Sequence, residues 1–495
     1  MTNRFYSASV KNPDPLKSIA DKFFTAIFIF LSYFLSASLL PQNAFANEES
    51  KSSEFTSRLS ISSPYSMHGI QDTLPEPAHP DSIPYSARSS LGSKMLGLPA
   101  TIFHTAVLPL KWGIIYFEEK EVLTKITDFL LNEEGTAGFY PSFSVGGRTD
   151  FAGGITYFNR DIFSRGHSLD LNTFYTNRDN FKLGLNYKVP LSENRRNQFI
   201  LNANFRKNDD QDVFLGGNRS DNELEAEFAI ERYDVRAEFG YLLRPDLIAS
   251  VSSGYKHTDV SDLDPFTETG VPVTDFIDPE KFGTGTVNLV NAGLSATFDR
   301  RIAGGQSTRE NLVSNLTSSY DFIKSKIRVH SGFLLDGGLV YNRSTDSSDF
   351  EFFNYFGEGQ FFLRLPGLSQ NHRLAFRTRL EKRFAAGDAD VPFYEQSFLG
   401  DAMNLRGFEQ DRFRDLGSLL LTLEYRYPIW DTWDAVVFTD QGQVFSDFRQ
   451  LGFDRFNGAV GTGLRFMTAN DFLFRIEIAF SKEETQTVLE FSMNF

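Results

Sequence analysis

Three charged residues in the C-terminal part of the chain are of types that pair strongly when water is excluded. Arg406 stands next to Gly407 in a loop-like stretch, whereas Glu424 and Asp440 stand in two later stretches with the alternation of strands. A guanidinium and a carboxylate in a confined space form charge-assisted, often bidentate hydrogen bonds. If these stretches enclose a space, Arg406 and Asp440 both need partners inside it, and the inward phase of Glu424 makes it a candidate.

Catalytic and metal-binding arrangements are the other chemistry to test. The seven histidines are scattered, none stands beside a Ser flanked by Gly, and the chain has no HExxH motif. The acidic loop that starts at His257 carries Asp259, Asp262 and Asp264, but their spacing differs from that of an EF-hand. We interpret it as a solvated surface loop, and we predict a protein that is not an enzyme and needs no cofactor or metal.

The stretch from 418 to 428 shows which kind of element positions these groups. Its apolar face carries Leu419, Leu421, Leu423, Tyr425 and Tyr427, and its polar face carries Thr422, Glu424 and Arg426. Leu420 interrupts the alternation. A period of two with a charged face is typical of a transmembrane barrel strand, apolar toward lipid and polar toward the lumen.

Similar alternation recurs along the chain from residue 136. We predict strands at 136–145, 151–161, 167–176, 181–189, 197–206, 222–243, 247–257, 286–299, 331–343, 351–365, 372–384, 418–428, 434–445, 457–467, 471–480 and 487–495. That gives about sixteen, the even number of single-chain bacterial barrels. Two alternatives stay open: 222–243 could turn at Tyr233-Asp234, and Leu312–Tyr320 could be a further strand.

The strand ends and connections fit the same architecture. Aromatic residues near strand ends are predicted to form the girdles at the membrane surfaces rather than ligand stacks; they are Phe139, Tyr140, Tyr157, Phe158, Tyr187, Trp430 and Trp433. Connections alternate in length, with long loops at 258–285 and 385–417 on one side. The connection 300–330 falls on the periplasmic side, where a long connection is unusual.

Two motifs carry a resemblance to a known family. The run Leu405-Arg406-Gly407-Phe408 resembles the (V/L)RG(F/Y) signature of the BamA/TamA superfamily of outer-membrane barrels, also known as bacterial surface antigens. The stretch from Phe438 through Gly442 to Phe445 resembles that family's FxDxGxxF strand motif. The final Phe491, Met493 and Phe495 resemble the C-terminal recognition signal of such barrels. Asp299-Arg300-Arg301 and Gly332 match another family turn only loosely.

The resemblance implies a role for each motif. It implies that Arg406 reaches from a surface loop into the lumen and pairs with Asp440, with Phe408 packed on the inner wall. This contact either only anchors the loop or sets a conformation needed for gating. The resemblance also implies insertion or translocation of polypeptides, or of lipid, at the outer membrane.

Composition agrees with a barrel in the outer membrane. The 495 residues include 52 Phe and no Cys, although the mean hydropathy is negative. This combination favours strands that face lipid on one side over a soluble core, and it excludes disulfides. The net charge of −15 argues against a nucleic-acid partner.

The N-terminal part is predicted to precede the barrel in three segments. Residues 1–46 resemble an export signal, with an apolar run before Ala44-Phe45-Ala46, and a retained membrane anchor is the alternative. Residues 47–102 are Ser- and Pro-rich and lack the pattern of the POTRA modules that usually precede barrels of this family. Residues 103–132 follow helical spacing, and this amphipathic helix is placed either at the periplasmic mouth or membrane surface, or in the lumen as a plug or gate.

The fold class predicted is therefore all-β and transmembrane: a 16-stranded antiparallel outer-membrane barrel over 136–495, preceded by a short amphipathic helix. Strand one carries Gly138 and Pro141, which predicts weak pairing with the last strand. Expected partners are outer-membrane lipid, client polypeptides and an unidentified periplasmic accessory protein. The competing interpretation is a passive pore or surface structural barrel that has lost the assembly role.

Overall fold

The computed structural model describes residues 130–145, 152–163, 166–176, 180–192, 196–214, 216–220, 225–261, 283–303, 306–307, 329–346, 348–365, 372–429, 433–467 and 472–493. The predicted signal peptide, the irregular segment at 47–102 and all but the last three residues of the predicted helix lie outside these ranges. Their assignments, including the lack of POTRA modules, stay predictions. Among the described residues, no helix is long and apolar enough to cross a membrane.

The described part of the chain is built from strands. They are β1 (Ala137–Val145), β2 (Ala152–Asn159), β3 (Ser168–Thr176), β4 (Phe181–Pro190), β5 (Asn197–Phe214), β6 (Glu225–Arg244), β7 (Leu247–Ser261), β8 (Gly285–Asp299), β9 (Ile302–Ala303), β10 (Gln306–Ser307), β11 (Val329–Ser344), β12 (Glu351–Arg364), β13 (Arg373–Ala385), β14 (Ser397–Leu399), β15 (Phe413–Asp415), β16 (Gly417–Pro428), β17 (Trp433–Phe445), β18 (Asn457–Met467), β19 (Phe472–Ser481) and β20 (Thr485–Met493). Short 3-10 turns cover Gly217–Arg219, Phe393–Glu395, Phe448–Gln450 and Phe453–Arg455.

Sixteen of the described strands form one antiparallel barrel. Each of them pairs with its neighbours in chain order, and β1 pairs with β20 to close the wall. The short strands β14 and β15 pair with each other within the long loop between β13 and β16, and β9 and β10 form a small hairpin beside β11. The predicted all-β barrel of sixteen strands is confirmed.

The period of two holds around the wall. On β16 and β17 the outward Leu423 and Val437 are 44% and 53% exposed, whereas the inward Glu424 and Asp440 are 0% and 1% exposed. Cross-strand pairing keeps the two phases separate, as in the pair Thr422↔Asp440. The sheet therefore has an apolar face for lipid and a polar face for the lumen.

One of the two open strand boundaries is settled by register. Tyr233 and Asp234 pair with His257 and Lys256 in continuous register, so β6 runs through them as a single strand. The stretch Leu312–Tyr320 lies outside the described residues. Strand β5 is longer than the predicted 197–206, because it continues past a register shift between Asn208 and Gln211.

Some sequence assignments of face were wrong. Tyr140 and Phe158 were assigned to the membrane girdles, but they are 8% and 0% exposed and pack inside the wall against Leu130 and Leu131. Successive side chains on a strand point to opposite faces, so Phe139 and Tyr140 cannot both meet lipid. Trp430 lies outside the described residues.

The barrel closes where β1 meets β20. Among the described residues, these two strands pair from Ser142↔Ser492 to Val145↔Leu489. Pro141 precedes the first of these pairs on β1, and a proline has no N–H to donate to a ladder. We call the line between β1 and β20 the seam.

Candidate functional site

The loop between β13 and β16 folds back into the barrel. Strands β14 and β15 form its stem, and the tip from Gly400 to Arg412 is held by backbone hydrogen bonds such as that from Asp411 N to Gly400 O at 2.9 Å. Leu405 and Asp411 have φ angles of 63° and 59°, and Gly400 has a φ angle of 110°. Left-handed backbone at non-glycine residues is uncommon and persists where surrounding contacts determine it.

Arg406 at the tip pairs with carboxylates from three strands. Its Nε and Nη2 donate to the two oxygens of Asp440 at 2.7 and 3.0 Å, which is the bidentate geometry. Its Nη1 donates to Glu424 at 3.0 Å and to Glu477 at 3.1 Å. The guanidinium carbon lies 3.4 Å from the centre of the Phe438 ring. The Arg406 side chain is 1% exposed, so the contact has the strength of a desolvated ion pair.

Further arginines complete a charged network on the same wall. Arg465 donates to Glu424 at 2.9 Å and to Glu477 at 2.7 Å, and Arg475 donates to Glu490 at 2.7 Å. We call this set the charged network; it contains Arg406, Arg426, Arg465, Arg475, Glu424, Asp440, Glu477 and Glu490. Its four guanidinium groups match its four carboxylates, so the network is balanced in charge.

Sequence reasoning found only part of this network. It placed Arg406, Asp440 and Glu424 in the lumen, but it did not select Glu477 or Arg465. The signal was present, because both stand in the inward phase of strands whose other phase is apolar. What was missing was the register of β18 and β19 against β17, which places these charges at the height of Arg406.

Gly407 and Phe408 fit the loop tip closely to the wall. Gly407 has a φ angle of 84°, and a Cβ there would lie 3.2 Å from the Ala459 Cβ. Its backbone N–H donates to Gln486 Oε1 at 3.1 Å. Phe408 is 0% exposed and packs with Phe413 at 5.2 Å between ring centres.

An apolar cluster also packs the inserted loop against the wall. Leu420, which interrupts the alternation of β16, is 1% exposed and faces the lumen, where it packs in this cluster. The members are Leu399, Leu405, Phe408, Phe413, Leu420, Val444 and Ala459. Leu420, an apolar residue in the lumen-facing phase, thus packs against the inserted loop.

The strand motif of β17, from Phe438 to Phe445, also contacts the inserted loop. Phe438 lies under the Arg406 guanidinium, and Asp440 binds it. A Cβ on Gly442 would lie 2.8 Å from Leu399 Cδ1 and 3.0 Å from Leu405 Cδ2, so this glycine makes room for the loop. Phe445 is buried near the end of the strand, beside Phe448.

Enlarging Gly442 should therefore loosen the loop. We expect Gly442→Val to lower barrel stability by about 1–3 kcal/mol, because overpacking displaces the leucines of the loop. Gly357→Val is the control, since a Cβ there meets no atom closer than 3.6 Å. The temperature at which the folded form is lost on a denaturing gel checks this. Equal temperatures for both variants would contradict the assigned fit.

The loop tip is also attached to the wall on both sides of β16 to β18. Arg377 of β13 donates to Met403 O at 3.2 Å, and Arg475 of β19 donates to Ala402 O at 3.3 Å. The tip therefore lies along the inner face of the wall between these strands. Arg377 is itself paired with Glu358 at 3.1 Å.

The earlier part of the loop closes the extracellular mouth. Val391, Phe393 and Tyr394 pack in an apolar cluster with the upper ends of β5 to β8 and of β12; the wall residues are Val213, Ala226, Phe228, Ile230, Val260, Val287, Leu289, Phe350 and Phe352. Glu395 pairs with Lys256 and with Arg232, both at 3.0 Å. We call Val391–Glu395 the lid segment.

The ion pairs of the lid segment give it a defined pH dependence. Burial would raise the pKa of the Glu395 carboxyl, but Lys256 and Arg232 outweigh burial and lower its pKa from 4.5 to about 2. A group with a lowered folded-state pKa stabilises fully above its unfolded pKa, and this stabilisation is lost as pH falls through the folded value. The lid should stay closed at pH above about 4.5 and loosen as pH falls toward about 2.

A cysteine at Val391 can report this, because the chain has no other Cys. We expect a spin label there to gain mobility on acidification toward pH 2, and we expect Glu395→Gln to produce the same mobility at neutral pH. Asp388→Asn, at an exposed carboxylate of the same loop, is the control and should change nothing. A label that stays immobile in Glu395→Gln would contradict the role of these pairs.

The remaining site predictions concern the chain end and bound metals. Strand β20 includes Phe491 and Met493, and Phe495 lies outside the described residues, so the C-terminal signal stays a prediction. In the described ranges, no three His, Asp or Glu side chains are grouped to hold a metal ion. The carboxylates of the charged network are instead bound to guanidinium groups.

Comparison with known proteins identifies the family of this barrel. A family model described as the Omp85 superfamily domain matches residues 142–495. The chain belongs to the Omp85 superfamily. The match includes the inserted loop, the charged network and the closing strand β20, and it confirms the predicted relationship to outer-membrane barrels of the BamA type. The protein is a bacterial outer-membrane β-barrel.

Two solved barrel structures are similar to this chain. BamA from Haemophilus ducreyi lacking POTRA domains 1–3 is similar at 12% identity and a TM-score of 0.50, with 72% of this chain and 70% of that chain covered. CdiB from Acinetobacter baumannii matches at 13% identity and a TM-score of 0.48, with 73% and 60% covered. No curated protein sequence matches the chain.

Proposed function

We propose that this Omp85 barrel inserts or translocates polypeptides at the outer membrane by opening between β1 and β20. The observation that carries the proposal is the closure of the wall at this seam, where β1 brings Pro141, a residue with no N–H for the ladder, beside the pair Ser142↔Ser492. A strand edge with free N–H and C=O groups is a template for another strand, so an opened seam offers a client the pairing that the two terminal strands give up.

The inserted loop supports this proposal, because it is attached to the wall beside the seam. Arg475 and Glu477 stand on β19, and Gln486 and Glu490 stand on β20, all in contact with the loop or the charged network. Strand β20 is thus held from the inside by the loop, while its edge meets β1 at the seam. The loop can keep the last strands in place during an opening at the seam.

Depletion of the protein tests the proposal. We expect a selective fall in certain outer-membrane barrels or surface proteins, which would identify the clients. A change only in the lipid content of the membrane leaflets would assign lipid transport instead. An unchanged proteome and an unchanged lipid content would overturn the proposal and favour a passive pore.

A further inference from the structure

A cavity of about 550 Å³ is lined by residues of β3 to β8 and of β11 and β12, most of them in the inward phase. The lid segment borders it, because Glu395 pairs with Arg232 and Lys256 of its wall. Its charged lining residues are Lys182, Arg206, Arg232, Arg236, Lys256 and Asp234, and five asparagines supply amide groups beside them. We call this space the basic cavity.

The register of the sheet places like charges side by side in the basic cavity. Lys182 on β4 is the direct cross-strand partner of Arg206 on β5, and Arg206 is the direct partner of Arg232 on β6. Like charges directly opposite one another on a sheet are destabilising. The row therefore has an electrostatic cost that a bound anion would lower.

The basic cavity differs from the charged network in the residues that face it. Its lining holds five basic side chains and one carboxylate, that of Asp234. The carboxylates of Glu238, Glu395 and Asp411 lie around this lining, beside Arg236, Arg232 and Arg206. The space itself is therefore faced mainly by cations, whereas each guanidinium of the charged network is bound to a carboxylate.

Two hydrogen-bond donors in the basic cavity have no acceptor. The Nε atoms of Arg206 and Arg236 are buried without a hydrogen-bond partner. A buried donor left unsatisfied costs about 1–3 kcal/mol. Guanidinium forks and amide N–H groups are the donors that match the oxygens of a tetrahedral oxyanion, and Arg is preferred where several such oxygens are bound.

We propose that the basic cavity binds a phosphate group, either free or carried by a lipid headgroup. The volume is within the range of small-molecule sites and exceeds what one phosphate needs. The lid segment lies on the extracellular side of the cavity, so the bound group enters from the periplasm. This site does not depend on the proposed insertion of polypeptides, because its lining strands β3 to β8, β11 and β12 are separate from the strands of the charged network.

Binding of inorganic phosphate to the full-length protein in detergent tests the site by calorimetry. We expect saturable binding that weakens about tenfold for each of Arg206→Gln and Arg236→Gln, the effect of losing one charge-assisted hydrogen bond. Arg449→Gln is the matched control, because Arg449 is 95% exposed in an extracellular turn, and it should bind as the unaltered protein does. A soluble short-chain phosphatidic acid forms a second arm: tighter binding than free phosphate assigns the headgroup, and equal binding assigns the free ion.

Two outcomes would overturn the proposal. One is the absence of saturable binding of either phosphate compound, and the other is binding that Arg206→Gln and Arg236→Gln together leave intact. A thermal unfolding measurement separates this role from a structural one. If the cations serve an anion, Arg206→Gln keeps or raises the stability of the phosphate-free barrel by relieving repulsion, whereas a fall in stability would count against the site.

Discussion

Replacing Arg406 with methionine should free the loop from the lumen and abolish the handling of clients. The substitution removes both side-chain hydrogen bonds to Asp440 and leaves that carboxylate buried at 1% exposure. Breaking a buried ion pair by removing one partner costs about 3–5 kcal/mol. Glu424 and Glu477 lose Arg406 as well, but they keep Arg465.

Two measurements check this result. The temperature at which the folded barrel is lost on a denaturing gel should fall, and single-channel conductance should rise and become noisier, because the tip is no longer fixed inside the lumen. Arg449→Met is the control, since its exposed side chain lies 4.0 Å from its partner Asp447 and such pairs contribute little. Conductance and stability equal to those of the unaltered protein would contradict the assigned role of Arg406.

A second variant separates an anchoring role from a functional one. In Arg406→Met with Asp440→Leu, no charge is left uncompensated at that position, and we expect part of the lost stability to return. If Arg406 only anchors the loop, client levels should return together with stability. If the pair sets a conformation that function needs, the double variant should be stable and still inactive.

Joining β1 to β20 with a disulfide should stop function while the bond is intact. Ser142 and Ser492 are direct cross-strand partners, and the separation of such Cα atoms suits a disulfide. In Ser142→Cys with Ser492→Cys, the oxidised protein cannot separate the two strands. We expect the clients identified by depletion to fall to their depleted levels, and we expect reduction to restore them.

A control disulfide elsewhere in the wall distinguishes the effect of locking the seam from a general effect of a disulfide. Asn186 and Asn202 are direct cross-strand partners on β4 and β5 and face the lumen, where Asn186 Nδ2 donates a hydrogen bond to Asn202 Oδ1 at 2.6 Å. The same double substitution there should leave client levels unchanged in either redox state. An oxidised seam that supports normal client levels would refute opening between β1 and β20 and would favour a passive pore.

The sequence by itself determined the barrel, because the constraint that produces it is local. A strand between lipid and a wet lumen must alternate apolar and polar residues, and that alternation is readable one segment at a time. The same phase placed Glu424 and Asp440 inward and so predicted the surroundings of Arg406. It was misleading where one residue broke the rule, as Leu420 does, and where two neighbouring aromatics were both assigned to lipid, as Phe139 and Tyr140 were.

Only the tertiary structure decided which inward residues meet. Glu477 and Arg465 join the cluster around Arg406 because the stagger of β17, β18 and β19 brings them to one height, and no single segment encodes that stagger. The row of Lys182, Arg206 and Arg232 likewise arises from the register between three strands. The seam likewise depends on how the first and last strands meet when the sheet closes, a long-range property that the glycine and proline of β1 only suggest.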